Sequence, residues 1–333
     1  MESHLGRYEI LEELGRGEMG VVYKAYDPLI DRFVAIKAID LQKLGDEEKD
    51  EYKARFYQEA KAAGRLNHPN IITIYDLGRK GDVAYIAMEL MEGTELQDIV
   101  AENQPLTIGE KLDVSFQVAE GLAYAHEHGI IHRDIKPSNI MVLRGKHVKI
   151  ADFGIARMKT SLELTKTNKI IGSPLYMSPE QIQSHPVDPR SDIFSFGIVL
   201  YQMLTGKLPF NGDNVNSLMY QIVNEEPQKP SALNPEVPET LDRIVAKCLE
   251  KKTEDRYQNA NELTRDLHSC RMLLSQNNIN AVNPGFYFED TVTPSSKNIN
   301  TVQLIWTIVL TALLSLGVYV LIDRLFHTTY GTQ

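Results

Sequence analysis

Four runs in the first hundred residues alternate apolar and polar positions as strands do: YEILEELG from Tyr8, VVYKAYD from Val21, RFVAIKAID from Arg32 and AYIAMEL from Ala84. One charged stretch between the third and fourth, from about Asp46 to Gly64, reads as a helix. Short strands around one helix predict a small, mainly antiparallel β lobe. Further along, the apolar spacing changes to three and four in KLDVSFQVAEGLAYAHEHG, SDIFSFGIVLYQMLTG, NSLMYQIVNEE and PETLDRIVAKCLEK. A second, larger and mostly α lobe follows from that change, and the fold class expected is α+β. HPVDPRSD ends in a cap for a helix from Ser191, and the prolines of PQKPSALNPEVP separate later helices.

Periodicity stops after about Leu274, where SQNNINAVNPGFYFEDTVTPSSKNINT fills with Asn, Ser, Thr and Pro. Such a composition reads as a linker, and residues 271–301 are assigned to it. The run from Val302 to Ile322 carries no charge and reaches the ~20 residues a helix needs to cross the hydrocarbon core. Trp306 and Tyr319 lie toward its two ends, where amphipathic rings favour the interface. The expectation is a single transmembrane helix at 302–322 followed by a short extracytoplasmic tail at 323–333. Lys297 and Arg324 flank the run on opposite sides and give no vote on orientation. The N-terminus lacks the basic and apolar segments of a secretory signal peptide.

Among the 333 residues a formal net charge of -10 argues against a nucleic-acid partner, which calls for a basic face. Cys248 and Cys270 have neither Cys-x-x-Cys spacing nor histidine partners set for a metal. They are expected to be reduced thiols, placing the bulk of the chain in the cytoplasm.

Three groups of residues carry chemistry. Gly15, Arg16, Gly17, Glu18, Met19 and Gly20 form G-x-G-x-x-G between two strand-like runs. Alone the pattern also marks dinucleotide-binding folds, but there a helix follows; here a strand follows, so a hairpin that lays backbone N–H groups over phosphates is expected. Lys37, in Val34-Ala35-Ile36-Lys37, shares a strand face with Ala35 and is placed to neutralise phosphate charge. It needs a carboxylate to orient it: Glu59 is preferred, with Glu51 and the acidic run around Asp46 as competing assignments. Finally, His132-Arg133-Asp134-Ile135-Lys136-Pro137-Ser138-Asn139 precedes Asp152-Phe153-Gly154. A carboxylate to accept a hydroxyl proton, an amide oxygen for a metal and a second carboxylate bridging metal and phosphate are the parts of phosphoryl transfer.

With these motifs in this order, residues 8–270 resemble a eukaryotic-type (Hanks-type) serine/threonine protein kinase, most of all the bacterial membrane-anchored members. The resemblance implies a bilobal fold with ATP and Mg²⁺, or Mn²⁺ in its place, between the lobes. Asp134 would be the catalytic base, with Lys136 supporting the γ-phosphate. Asn139 and Asp152 would hold the metal, and Lys37, paired with Glu59, would contact the α/β-phosphates. Met88 matches the gatekeeper, the backbones of Glu89 and Met91 the hinge, Val22, Ala35 and Met141 the walls of the adenine site, and Glu95 a ribose contact. Lys136, two residues after the base, favours serine or threonine over tyrosine.

The segment from Gly154 to Glu180 resembles an activation loop, with Ser178 where alanine is usual and Ser173 where a threonine is usual. Thr165 and Thr167 match positions that bacterial relatives phosphorylate, and the phosphate would pair with Arg133. Glu180 resembles the partner of a late arginine, here Arg256, and Asp192 the carboxylate that braces the catalytic-loop backbone. Expected partners are protein substrates with Ser/Thr acceptors, membrane lipid, a second copy through the span, and a phosphothreonine-binding module at Thr291 and Thr293. Two rival readings remain, a pseudokinase scaffold and a small-molecule phosphotransferase. The first is disfavoured because Lys37, Asp134 and Asp152 are all present, the second because the activation-loop segment and Ser-Pro-Glu element suit a protein substrate.

Overall fold

Alternation along the first lobe builds one antiparallel sheet. In the computed structural model, which describes residues 3–17, 20–41, 56–101, 106–153 and 173–277, six strands pair in the order β1-β2-β3-β4-β6-β5. They are β1 (His4–Leu5), β2 (Tyr8–Gly17), β3 (Gly20–Asp27), β4 (Arg32–Asp40), β5 (Ile74–Lys80) and β6 (Val83–Met88), and every neighbouring pair is antiparallel. β4 has both faces covered. Val34, Ile36 and Ala38 pack with Leu5, Tyr8, Ala25, Tyr85 and Ala87 on one side, whereas Ala35 on the other meets Ile72 and Met88. Lys37 lies on that second face by the two-residue period.

β5 carries Asp76, Arg79 and Lys80 and shows no strand alternation in the sequence; it forms because it is an edge strand paired to β6 alone. Gly78 stands opposite Tyr85 there, and a Cβ on it would lie 2.1 Å from the tyrosine ring. The missing side chain is what lets the ring cross the strand.

The helix of this lobe, α1, is described over residues 56–63. After a short sheet of β7 (Gly93–Glu95), β8 (Ile140–Leu143) and β9 (Val148–Ile150), the remainder is helical. The helices are α2 (Leu96–Ala101), α3 (Ile108–Glu127), α4 (Pro179–Ile182), α5 (Pro189–Thr205), α6 (Val215–Asn224), α7 (Pro230–Leu233), α8 (Glu239–Cys248) and α9 (Ala260–Asn277). The bilobal α+β architecture thus follows the change of apolar period.

Two helix starts differ from the sequence reading. α3 begins at Ile108, three residues before Lys111, because Thr107 and Glu110 form a reciprocal capping box. α5 begins at Pro189 instead of Ser191, capped by the Asp188 side chain, which accepts from the Arg190 N–H. α5 is buried on nearly all sides, from Ser191 to Leu204, and forms the pillar of the larger lobe. Cys248 and Cys270 are both buried and free. The expected linker 271–301 starts too early, because α9 continues through Asn277 and the first seven of those residues are helical. Among the described residues no helix is long and apolar enough to cross a membrane; residues 278–301 of that linker, the run 302–322 and the tail 323–333 lie outside them.

Candidate active site

Strand register gathers the nucleotide-facing residues. Ala35 stands opposite Met88, and Lys37 stands between Val22 on one side and Ile86 on the other. Opposed residues in an antiparallel pair project to the same face. Val22, Ala35, Met88 and Met91 accordingly share an apolar cluster with Ile72, Leu90 and Ala151 at the junction of the lobes. Gly17 pairs with Gly20 across the hairpin joining β2 and β3, so the glycine motif sits between strands and opens no helix. A Cβ on Gly15 or Gly17 would meet nothing within 4 Å, whereas one on Gly20, at φ +141°, would strike the Ala38 carbonyl at 2.2 Å. Two glycines therefore leave open space and the third is required by the fold. Arg16 is spent on Glu13, at 2.7 Å, and Glu18 and Met19 lie outside the described residues.

Of the hinge residues, Glu89 donates its N–H to the Thr73 carbonyl at 2.9 Å, and its carboxylate pairs with Lys149 at 3.0 Å. The backbone group it can offer a ligand is its carbonyl. Met141 on β8 lies opposite Glu95 on β7. Burial pushes the Glu95 carboxyl above its ordinary value, and the nearby carboxylates of Asp98 and Asp152 push the same way.

The catalytic-loop residues meet on the other side of the cleft. Asn139 donates through Nδ2 to the Asp134 carbonyl at 2.8 Å and to Asp134 Oδ2 at 3.2 Å, and Lys136 Nζ stands 2.7 Å from that same carboxylate oxygen. Lys37 Nζ stands 2.7 Å from Asp152 Oδ2. Burial raises the Asp152 carboxyl, but the Lys37 ammonium beside it wins and leaves it below its ordinary value. Both Arg133 (φ +66°) and Asp152 (φ +60°) adopt left-handed backbone. That conformation is costly for residues with a Cβ and persists where surrounding bonds impose it.

The Asp134 carboxylate, a lysine and an amide beside it, and a second carboxylate paired with Lys37 are thus arranged as the motifs predict, and the protein kinase domain family matches residues 8–267. The chain belongs to the protein kinase family. Over 265 residues, 80% of this chain, it is 44% identical to a probable serine/threonine-protein kinase of Clostridium acetobutylicum and 40% identical to serine/threonine-protein kinase PrkC of Bacillus subtilis. Serine/threonine-protein kinase PknB of Mycobacterium tuberculosis is 42% identical over 272 residues. The chain spans about 40% of the length of these relatives.

One expected kinase contact is arranged differently. The pair Lys37–Glu59 is not formed: Lys37 is held by Asp152, and Glu59 Oε1 faces Arg133 Nη1 at 3.6 Å. Asp152 is the carboxylate that takes the β4 lysine, and α1 brings its glutamate within reach of the catalytic-loop arginine. Thr165 and Thr167 lie outside the described residues, as do Glu51 and Asp46.

Divalent-metal chemistry fits the donor set. Asn139 turns its amide nitrogen to Asp134, so its Oδ1 is the atom left for a cation, and Asp152 supplies a hard carboxylate. Among the described residues no group of three or more His, Cys, Asp or Glu makes a self-contained metal cage. Mg²⁺ takes one or two carboxylates and completes its shell with phosphate and water, a donor requirement that Asp152 and Asn139 Oδ1 fit.

The supporting charges are deeply buried. Arg256 Nη1 and Nη2 meet Glu180 Oε1 and Oε2 at 2.8 and 2.9 Å, and the guanidinium also donates to the carbonyls of Glu250, Lys251 and Arg190. Burial pushes the Glu180 carboxyl up, but Arg256 and Ser191 outweigh it and hold the group below its ordinary value. Asp192 accepts from the N–H groups of His132 and Arg133 at 2.8 and 2.7 Å.

The motif alone assigns His132 no role of its own. It is fully buried, its Nε2 bonds the Ala151 carbonyl at 2.8 Å, and its ring lies 4.6 Å from that of Phe153. It ties the loop of Asp134 to the backbone of Asp152. Ala151, also absent from the sequence reading, joins the apolar cluster with Val22 and Met88; its position immediately before Asp152 is the available signal.

Proposed function

We propose that this chain transfers the γ-phosphate of ATP to Ser/Thr hydroxyls of protein substrates. The observation that carries the reading is the meeting of Asp134, Lys136 and Asn139 with Asp152 and Lys37 in one cleft. The Asp134 carboxylate, oriented by Asn139, accepts the proton of the attacking hydroxyl. Lys136 beside it neutralises charge on the transferring phosphoryl group, and Lys37 moves from Asp152 to the phosphates when nucleotide enters. Asn139 Oδ1 and Asp152 hold Mg²⁺, or Mn²⁺, which when bound neutralises the phosphate oxygens. Adenine sits between Val22, Ala35 and Met141 beside Met88, bonds the backbones of Glu89 and Met91, and leaves the ribose near Glu95. The relatives are named serine/threonine-protein kinases, which supports the choice of acceptor.

Activity is set by autophosphorylation at Thr165 and Thr167, whose phosphates pair with Arg133. The kinase domain, residues 8–270, faces the cytoplasm. A juxtamembrane linker, which begins beyond α9 at residue 278 and runs to 301, joins it to a helix at 302–322 in the plasma (inner) membrane, with 323–333 beyond. The uncharged run from Val302 to Ile322 supports this arrangement. A second copy meets the chain through that helix, and phosphate on Thr291 and Thr293 recruits a phosphothreonine-binding module.

Mapping phosphate after incubation with MgATP tests the reading. Label on Thr165 or Thr167 in wild type, absent from Lys37→Met, is the expected result. A folded chain that takes up no label and phosphorylates no generic protein would instead favour the scaffold.

A further inference from the structure

Gln181, half-buried at the third position of α4, uses both ends of its side-chain amide. Its Oε1 accepts from the Ser178 N–H at 3.0 Å, and its Nε2 donates to the Arg133 carbonyl at 2.9 Å. A backbone N–H only donates and a carbonyl only accepts, so the partners themselves fix which way the amide points. An ionised glutamate could serve only the first partner and a lysine only the second. α4 is itself anchored in the core, because the preceding residue, Glu180, is held by Arg256 and Ser191. The amide therefore extends a fixed support out to the catalytic loop.

The bond to Arg133 acts on the peptide unit that joins it to Asp134. Such a unit is planar, so bonds on its opposite edges fix its rotation. Gln181 takes its carbonyl, while His132 Nδ1 accepts from its N–H at 3.2 Å. His132 belongs to the same loop, whereas Gln181 ties the unit to a different element. The unit before it is held separately, through the Arg133 N–H on Asp192. Between the two units lies the Arg133 α-carbon at φ +66°, a conformation that persists only where its surroundings impose it. Rotation of the second unit would change ψ at Arg133 and φ at Asp134, and would swing the Asp134 carboxylate away from Lys136 and Asn139. We propose that Gln181 is a positioning residue for phosphoryl transfer, fixing from α4 the peptide between Arg133 and Asp134 and with it the aim of the base. This inference rests on the reading of the chain as an active kinase.

Two substitutions of similar length, made in the full chain, separate this bond from the start of α4 and from charge. Gln181→Glu keeps the acceptor for the Ser178 N–H, since glutamate suits that helix position, but sets an oxygen against the Arg133 carbonyl. Gln181→Met loses both bonds and adds no charge. The expected kcat is lower by about tenfold or more in both, because small misplacements of a reacting group carry large rate penalties. KM for ATP should stay within about twofold, as the nucleotide residues are untouched. The Tm of Gln181→Glu should stay within about 2 °C of wild type, its helix start being intact. A carbonyl carbon resonates further downfield when its oxygen accepts a hydrogen bond, so the Arg133 carbonyl ¹³C signal should move upfield in both variants.

Wild-type kcat in both variants overturns the proposal. So does a loss in Gln181→Met alone, which would mark a residue that only starts α4, and a loss in Gln181→Glu alone, which would mark an effect of the added charge. A rise of about tenfold in KM for ATP alongside the fall in kcat would mark general damage to the cleft and overturns it as well. If Gln181→Met does not fold, the Arg133 signal in Gln181→Glu decides: an upfield move together with the loss of kcat supports the proposal, and an unmoved signal overturns it. If the wild-type chain itself transfers no phosphate, the activity reading fails separately, and the Arg133 signal alone decides whether Gln181 holds the loop.

Discussion

Arg133 Nη1 stands 3.6 Å from Glu59 Oε1 while Lys37, for which that glutamate is the expected partner, stands 2.7 Å from Asp152. Lys37 is thereby tied to Asp152, the carboxylate proposed to hold the metal. About half of the Arg133 side chain is exposed (48%), so its pair with Glu59 is worth at most about 1 kcal/mol. A phosphate, with more charge and more acceptor oxygens, competes well for the same guanidinium. On the proposed function, releasing Glu59 would let it take up Lys37, and Lys37 would then leave Asp152 to the metal.

Glu59→Gln should therefore lower kcat/KM by roughly tenfold or more, although Glu59 does not touch Lys37 in this arrangement. Steady-state kinetics on the loop-phosphorylated chain measure it. In parallel, the activity of Arg133→Ala should no longer depend on the phosphorylation state of Thr165 and Thr167; a dependence as strong as in wild type would show that another cation reads the phosphate.

Removing Arg256 strands the Glu180 carboxylate in the core. Arg256→Ala is expected to lose about 3–5 kcal/mol of unfolding free energy by urea titration, the cost of breaking one side of a buried pair. Loss of under about 1 kcal/mol would mean that water enters the site and solvates the carboxylate.

The same carboxylate predicts an acid limb. Its folded pKa is held below the ordinary 4.5 by Arg256 and Ser191. A depressed acid contributes stability that is fully present above the unfolded value and is lost as pH falls through the folded one. Wild-type Tm should then drop more steeply below about pH 4.5 than that of Glu180→Gln, which has no such group to protonate. Parallel curves would remove Glu180 from the acid response.

The glycine hairpin separates folding from binding. Gly20→Ala meets the Ala38 carbonyl at 2.2 Å in a left-handed backbone and should destabilise the chain by about 1–3 kcal/mol. Gly15→Ala has open space and should stay within about 0.5 kcal/mol of wild-type stability while raising KM for ATP. Denaturation and ATP-dependent kinetics on both variants distinguish the two effects.

Much of this is legible in the sequence, for identifiable reasons. The motifs from Gly15 to Asp152 are local in sequence, and a strand's two-residue period places Ala35 and Lys37 on one face without further help. The antiparallel pairing of Ala35 with Met88 cannot be read, because register depends on strands distant in sequence. β5 escapes the pattern because an edge strand with Asp76, Gly78 and Lys80 has no apolar alternation to show. Thr107 and Glu110 have the capping-box spacing in plain sight, and a reading from apolar period alone starts α3 too late by not using it. The partners of Lys37 and Glu59 are illegible for a different reason. Motif spacing says which charges share a site, but which pairs form depends on where α1 sits against the catalytic loop. Gln181 and Arg133, on separate elements, illustrate the same limit.

Phosphate transfer from MgATP to a generic protein substrate, compared between wild type and Asp134→Asn at equal folded concentration, is the most direct test. The arrangement around Asp134 predicts transfer by wild type and a loss of about 10²–10⁴-fold in the variant, the usual contribution of a positioned base. Equal rates in the two proteins, or no transfer by a folded wild-type chain that binds MgATP, would contradict the assignment of Asp134 as the base and of the cleft as a phosphotransferase site.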